Sequence, residues 1–169
     1  TVVPLILVVI FAFIGIKTLN DITKVESNEV VINVTGQQWA WSFDYGNGVV
    51  SDTLKLPLNQ RVQLVLHSKD VIHAFFVPEF RVKMDAMPGH ENKLNFTPTM
   101  TSAEYLATEG KQGKELKVRC AELCGLSHWS MEAPVQVVPA AEFTAWLHQE
   151  MAKVNPALTK QTTTNKVSN

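Results

Sequence analysis

Gln38-Trp39-Ala40-Trp41-Ser42-Phe43-Asp44-Tyr45 alternates aromatic with small or polar residues and stops at Gly46-Asn47-Gly48. Period-two alternation puts the aromatics on one face of a strand, and the Gly-Asn-Gly stop is hairpin chemistry. The same signature recurs on both sides. Residues 29–34 upstream, and 49–56, 61–67, 71–77, 93–97, 103–108, 116–119 and 133–138 downstream, are short runs of strand composition bounded by turn residues. Helical periodicity is scarce between them, which predicts an all-β antiparallel sandwich or barrel. One helix closes the pattern: Pro139 opens it, and Phe143, Trp146, Leu147 and Met151 recur at helical spacing, so one face can pack on the sheets. Residues 152–169, rich in Thr, Lys and Asn, are too poor in apolar side chains to fold and are predicted to be a mobile tail.

The other end of the chain has a different character. Residues 1–16 carry no charge and Val2 to Ile14 is apolar all round. Carried past Lys17, whose ammonium can snorkel, the run reaches about 19 residues, close to the ~20 needed to cross ~30 Å of hydrocarbon. A signal peptide would show a basic start and a small-residue cleavage site, and neither is present. Residues 1–20 are therefore read as a transmembrane helix rather than a buried core helix, residues 21–28 as a polar connector, and 29–151 as the folded domain. The absence of an initiating Met within an apolar run reads as a fragment or a processed product.

With 169 residues and 18.8 kDa, the chain suits one domain with an appendage. Hydrophobic residues at 46% and charged residues at 18% exclude wholesale disorder. The net charge of −1 hides an asymmetry, because residues 26–151 carry ten basic and fifteen acidic side chains. An acidic domain disfavours nucleic acid and suits a basic partner. Asp44, Asp52, Asp70 and Asp85 are candidate docking carboxylates.

Chemistry concentrates in Cys120-Ala121-Glu122-Leu123-Cys124-Gly125-Leu126-Ser127-His128-Trp129-Ser130-Met131, which holds both cysteines of the chain. Thiolates, imidazole and thioether together favour copper over hard cations. Single-copper electron carriers use one Cys, two His and a weak Met, with one His remote from the loop. Here a second Cys is added, and two thiolates can bridge two metal ions. His73, in Val71-Ile72-His73-Ala74-Phe75-Phe76-Val77, is the candidate remote ligand. Two plainer readings compete: a disulfide, which leaves His128 and Met131 unexplained, and a structural zinc on Cys120, Cys124, His73 and His128, which leaves Met131 idle. Three residues separate the sulfurs, so a CxxC redox pair is absent. His67, His90 and His148 lie outside the cluster.

Four motifs in order carry a resemblance. Gly36-Gln37-Gln38-Trp39-Ala40-Trp41, Ser68-Lys69-Asp70-Val71-Ile72-His73-Ala74-Phe75, Asp85-Ala86-Met87-Pro88-Gly89 and the segment 120–131 resemble subunit II of haem–copper cytochrome c oxidases. The first departs from the family pattern, which usually has His before the Gln and Tyr between the tryptophans. The likeness runs from the N-terminal span to about Met151, and family subunits usually carry two N-terminal helices, of which this would be the second.

The resemblance implies a cupredoxin-like Greek-key barrel with an N-terminal transmembrane helix and a C-terminal helix, bearing a binuclear copper centre, CuA. It implies that Cys120 and Cys124 bridge two coppers, that His73 and His128 each bind one, and that Met131 and the carbonyl of Glu122 complete them. The Glu122 carboxylate would help bind magnesium at the interface with the haem-bearing subunit I, which the turn 85–89 would also contact. Trp39 would be the point of electron entry from cytochrome c or a small soluble copper or haem carrier. Oxygen reduction and proton pumping would belong to subunit I. The domain would face away from the reducing cytoplasm, into periplasm, lumen or intermembrane space. Two alternatives are a CuA domain of a nitrous oxide reductase and a structural zinc or copper module.

Overall fold

The computed structural model describes residues 1–24, 28–108 and 114–155. Helix α1 spans Val2–Thr23, with a mean hydropathy of 2.6 and none of its apolar window buried in the protein. It is long and apolar enough to cross a membrane. It also runs into the segment read as connector, ending where Lys24 N–H donates to the Asn20 carbonyl and Thr23 Oγ1 donates to the Leu19 carbonyl. Residues 25–27 of that connector, and 156–169 of the tail, lie outside the described residues.

Among the described residues ten strands follow: β1 (Val30–Gln37), β2 (Ala40–Asp44), β3 (Val50–Ser51), β4 (Leu54–Pro57), β5 (Val62–Ser68), β6 (His73–Val77), β7 (Val82–Ala86), β8 (Asn92–Phe96), β9 (Lys117–Cys120) and β10 (Glu132–Val138). They form two five-stranded sheets, ordered β3-β2-β1-β5-β8 and β4-β10-β9-β6-β7. Most neighbours are antiparallel. The exceptions, β1 with β5 and β4 with β10, join strands distant in sequence. In β10, Ala133, Val135 and Val137 are buried while Glu132, Pro134 and Gln136 are exposed, the alternation of a sheet with one face on the core.

The core between the sheets includes Ile32, Phe43, Leu54, Leu64, Leu66 and Phe75, all fully buried, each worth roughly 1.5–3 kcal/mol of burial. His73 and Met131 share this core, so two of the predicted ligands are held by close packing. Helix α3 (Ala140–Val154) lays Phe143 against Tyr45, with Trp146, Leu147 and Met151 also packed on the core. The face expected from its spacing is the face it buries, and the helix continues past 151 to Val154.

The strand pattern also departs from expectation. Residues 103–108, read as a strand, form helix α2 (Ser102–Ala107). The Thr101 hydroxyl accepts from Glu104 N–H while the Glu104 carboxylate accepts from Thr101 N–H, a capping box that outweighs local strand propensity. Strand β7 was not expected, although Val82-Lys83-Met84-Asp85-Ala86 alternates. It pairs with β6 and places Asp85 and Ala86 in the sheet rather than in the turn that follows.

A candidate metal centre

The site forms where three chain segments meet. Cys120 ends β9, Met131 precedes β10, and the Cys120 N–H donates to the Met131 carbonyl, closing the loop 121–130 at its base. His73 begins β6, beside β9, where Phe75 pairs with Cys120 and Ala121 N–H donates to the Ala74 carbonyl. Inside the loop a 3-10 turn over His128–Ser130 brings His128 and Met131 back towards Cys124.

The donors converge as two halves. The sulfurs of Cys120 and Cys124 lie 3.7 Å apart and both thiols are free. Cys120 Sγ is 3.8 Å from His73 Nδ1 and 3.2 Å from the Glu122 carbonyl oxygen. Cys124 Sγ is 3.5 Å from His128 Nδ1 and 3.8 Å from Met131 Sδ. Each sulfur thus has one imidazole and one weaker donor beside it. A covalent S–S bond is about 2.05 Å, so the pair is not a disulfide. Metal–thiolate bonds are about 2.3 Å, so one ion can touch both sulfurs.

The geometry also weighs against a single tetrahedral ion. His73, Cys120 and Cys124 place their donor atoms within 4.8 Å of one another, and His128 is not in that group. Four donors around one zinc would all lie within about 4 Å of each other. The buried Met131 sulfur adds a soft donor that zinc would not use. Two thiolates flanked by two imidazoles fit a pair of copper ions.

Supporting contacts hold the histidine from behind. Asp70 Oδ1 lies 2.8 Å from His73 Nε2, leaving Nδ1 to face Cys120. The same carboxylate accepts from Gln38 N–H at 2.7 Å and from Val71 N–H at 2.7 Å. Partial burial works against ionisation, but these hydrogen bonds from Gln38, His73 and Val71 outweigh it and hold the Asp70 carboxyl down to about 2. Asp70, named above as a docking carboxylate, is therefore engaged in the site. Burial, reinforced by the neighbouring Cys120 thiol, pushes the Cys124 thiol up to about 11.

Gln38 ties the β1–β2 turn to the loop, its Nε2 donating to the Cys124 carbonyl at 2.7 Å. Trp39, 37% exposed, lies over Gly125: a Cβ there would sit 2.8 Å from Gln38 Nε2 and 3.4 Å from the indole, at a φ of 120°. Gly36 is constrained by space alone, since its Cβ would come within 2.9 Å of His73 Cδ2. Trp41 packs edge-on to both His73 and Phe75. Asp70, Gln38 and Gly36 were not expected as supports. All three lie in the family-like motifs, but only the fold shows what they touch. The Glu122 side chain is exposed, and among the described residues it belongs to no cluster of three metal-binding side chains. His67 is spent on Thr35 Oγ1 at 2.9 Å.

The sequence profile described as cytochrome c oxidase subunit II, periplasmic domain, matches residues 49–138. The chain belongs to the cytochrome c oxidase subunit II family. It is 40% identical over 140 residues to cytochrome c oxidase subunit 2 of Thermostichus vulcanus, covering 82% of this chain and 38% of that protein. It is 33% identical over 170 residues to the subunit 2 of Bacillus sp. (strain PS3), covering 94% of this chain and 46% of the other. The chain thus spans under half the length of these two relatives. The crystal structure of the periplasmic domain of subunit II (CoxB) of Bradyrhizobium japonicum superposes with a TM-score of 0.63 at 30% identity, covering 78% of this chain and 99% of that one. The all-β cupredoxin-like architecture expected from the sequence, with its N-terminal apolar helix and C-terminal helix, is the one observed. These likenesses favour an oxidase subunit over a nitrous oxide reductase domain or a structural module.

Proposed function

We propose that this chain is the electron-transfer subunit of a terminal cytochrome c oxidase, and that His73, Cys120, Cys124, His128, Met131 and the Glu122 carbonyl hold a binuclear CuA centre. The observation that carries this reading is the pair of free thiols 3.7 Å apart, each with its own imidazole. When bound, the copper pair supplies a one-electron relay whose charge is shared between two ions. The chain's own residues supply rigidity. His73 is locked by Asp70 and core packing, and Cys120 and Met131 are pinned to each other through the backbone, so the donor set has little room to move between redox states.

Electrons enter near Trp39, whose indole lies against the loop at Gly125, from cytochrome c or a similar soluble carrier. They leave towards haem in subunit I, with segment 85–89 (the end of β7 and the turn after it) and the Glu122 carboxylate on that side, the latter helping to bind a magnesium ion at the interface. Oxygen chemistry belongs to subunit I. Helix α1 anchors the chain in the membrane with the metal domain on the extracytoplasmic side, where thiolates are not competed for by cytoplasmic reductants.

Copper loading of the full chain tests this. The expected result is two copper ions per chain and a paramagnetic spectrum with one electron shared between two nuclei, both lost in Cys120→Ser. Colourless protein with one zinc per chain would refute the reading.

A further inference from the structure

Arg61 occupies a position that the metal site does not explain. Its Nε donates to Glu29 Oε1 at 2.6 Å, and the Glu29 side chain is only 2% exposed. Its Nη2 donates to the carbonyls of Lys24 at 2.8 Å and Ile22 at 3.2 Å, with that of Asp21 at 3.5 Å. The carbonyls at the end of a helix lack intrahelical partners and carry the negative end of its dipole. The last turn of α1 holds no basic residue and Lys24 is its C-cap, yet the side chain that hydrogen-bonds the end carbonyls is that of Arg61. The cation that touches these carbonyls comes from the domain, as a planar guanidinium whose Nε reaches a buried carboxylate and whose Nη2 reaches the helix end.

The mounting on the domain side is stiff. Val30 N–H donates to the Arg61 carbonyl, and Val30 pairs with Val62 at the start of the parallel β1–β5 ladder. The other oxygen of Glu29 accepts from Gln63 Nε2 at 3.2 Å, and Gln63 is itself buried in β5. From Arg61, β5 runs seven residues, roughly 23 Å at ~3.3 Å per residue, to Ser68. Two residues further on is Asp70, which holds His73. One strand therefore links the helix end to the metal site, so a tilt at Arg61 is carried to the site.

We propose that Arg61 is a positioning residue that clamps the membrane helix to the sheet through Glu29 and so sets the attitude of the metal site to the membrane. The inference rests on reading α1 as a membrane span, but it does not depend on copper. Lysine cannot reproduce this, because its compact ammonium lacks two separated donor nitrogens.

Polarised infrared spectroscopy of the full 169-residue chain in aligned bilayers reads helix and sheet orientation separately. Wild type is expected to show dichroism in both the helix and the sheet amide bands. Arg61→Gln should keep the helix dichroism and lose at least half of the sheet dichroism, and Arg61→Lys should fall between. Arg81→Gln, at an exposed arginine, should match wild type. Near-ultraviolet circular dichroism monitors the fold, and if Arg61→Gln does not fold, Arg61→Lys carries the same comparison. Unchanged sheet dichroism in the folded Arg61 variants, or none in wild type, overturns the clamp. Loss of helix dichroism in wild type overturns the membrane span, and the clamp's role with it.

Discussion

The carboxylate of Asp70 sits 2.8 Å from Nε2 of His73, so the ring's other nitrogen faces the Cys120 sulfur. This carboxylate–imidazole pairing fixes both the orientation of the ring and the nitrogen left free as a donor. It also crosses between segments, since Asp70 is held in turn by the backbone N–H of Gln38.

Asp70→Asn keeps the shape of the side chain and removes its charge. Copper affinity should fall about 10- to 100-fold, the usual cost of losing a supporting carboxylate behind a ligand histidine. Competition against a chelator of known affinity measures it. Affinity equal to wild type would mean that His73 needs no such support.

Copper uptake should depend on pH. Burial and the adjacent Cys120 hold the Cys124 thiol up to about 11, so at neutral pH the metal-free protein keeps that proton and the metal must displace it. Apparent affinity should rise as pH rises from about 6 to about 9, by about tenfold per unit for each proton released. Titration in weakly buffered solution reads the protons directly. Uptake without proton release would contradict this.

Trp39→Phe should slow reduction of the loaded protein by its electron donor by about tenfold or more, equivalent to at least ~1.4 kcal/mol of barrier. Copper content should stay unchanged, because the indole lies against the loop without supplying a donor atom. Stopped-flow reduction alongside a metal count separates the two effects. An unchanged rate would remove Trp39 from the entry path.

Alkaline stability should report on Tyr45. Its hydroxyl is buried beneath α3 and bonded to the Lys55 backbone. Burial raises its pKa well above the ordinary 10.0, against the lowering effect of the Lys55 hydrogen bond. A raised folded value means that the stabilisation is complete below the ordinary value and is lost as pH rises through it towards the folded one. Denaturant unfolding of the metal-free chain should weaken above about pH 10, by up to about 1.4 kcal/mol per unit. Tyr45→Phe should be less stable at neutral pH and show a flatter profile there. A parallel slope in both proteins would assign the alkaline loss to other groups.

The strands most legible in the sequence are those with one face on the core. β10 and β1 alternate because every second side chain meets the opposite sheet, and that periodicity survives in the sequence alone. Residues 103–108 misled because strand propensity is weak, while the Thr101–Glu104 capping box satisfies helix-end donors outright. Val71 and Ile72, read as strand, are exposed and precede β6; their apolar character does not reflect burial.

By itself the sequence determined the apolar span, the β-rich class, the helix face of Phe143 and Trp146, and a soft-donor cluster at Cys120, Cys124, His128 and Met131. These are local signals, set by periodicity and by the scarcity of chemically special residues. His73 was legible as the remote donor, but the tertiary structure alone decided that its Nδ1 faces Cys120, that Asp70 stands behind it, that Gln38 grips the Cys124 carbonyl and that Arg61 reaches the end of α1. Each of these joins groups from separate segments, brought together by strand pairing and core packing. Such contacts leave no spacing signature, because what fixes them is the three-dimensional register of the sheets rather than distance along the chain.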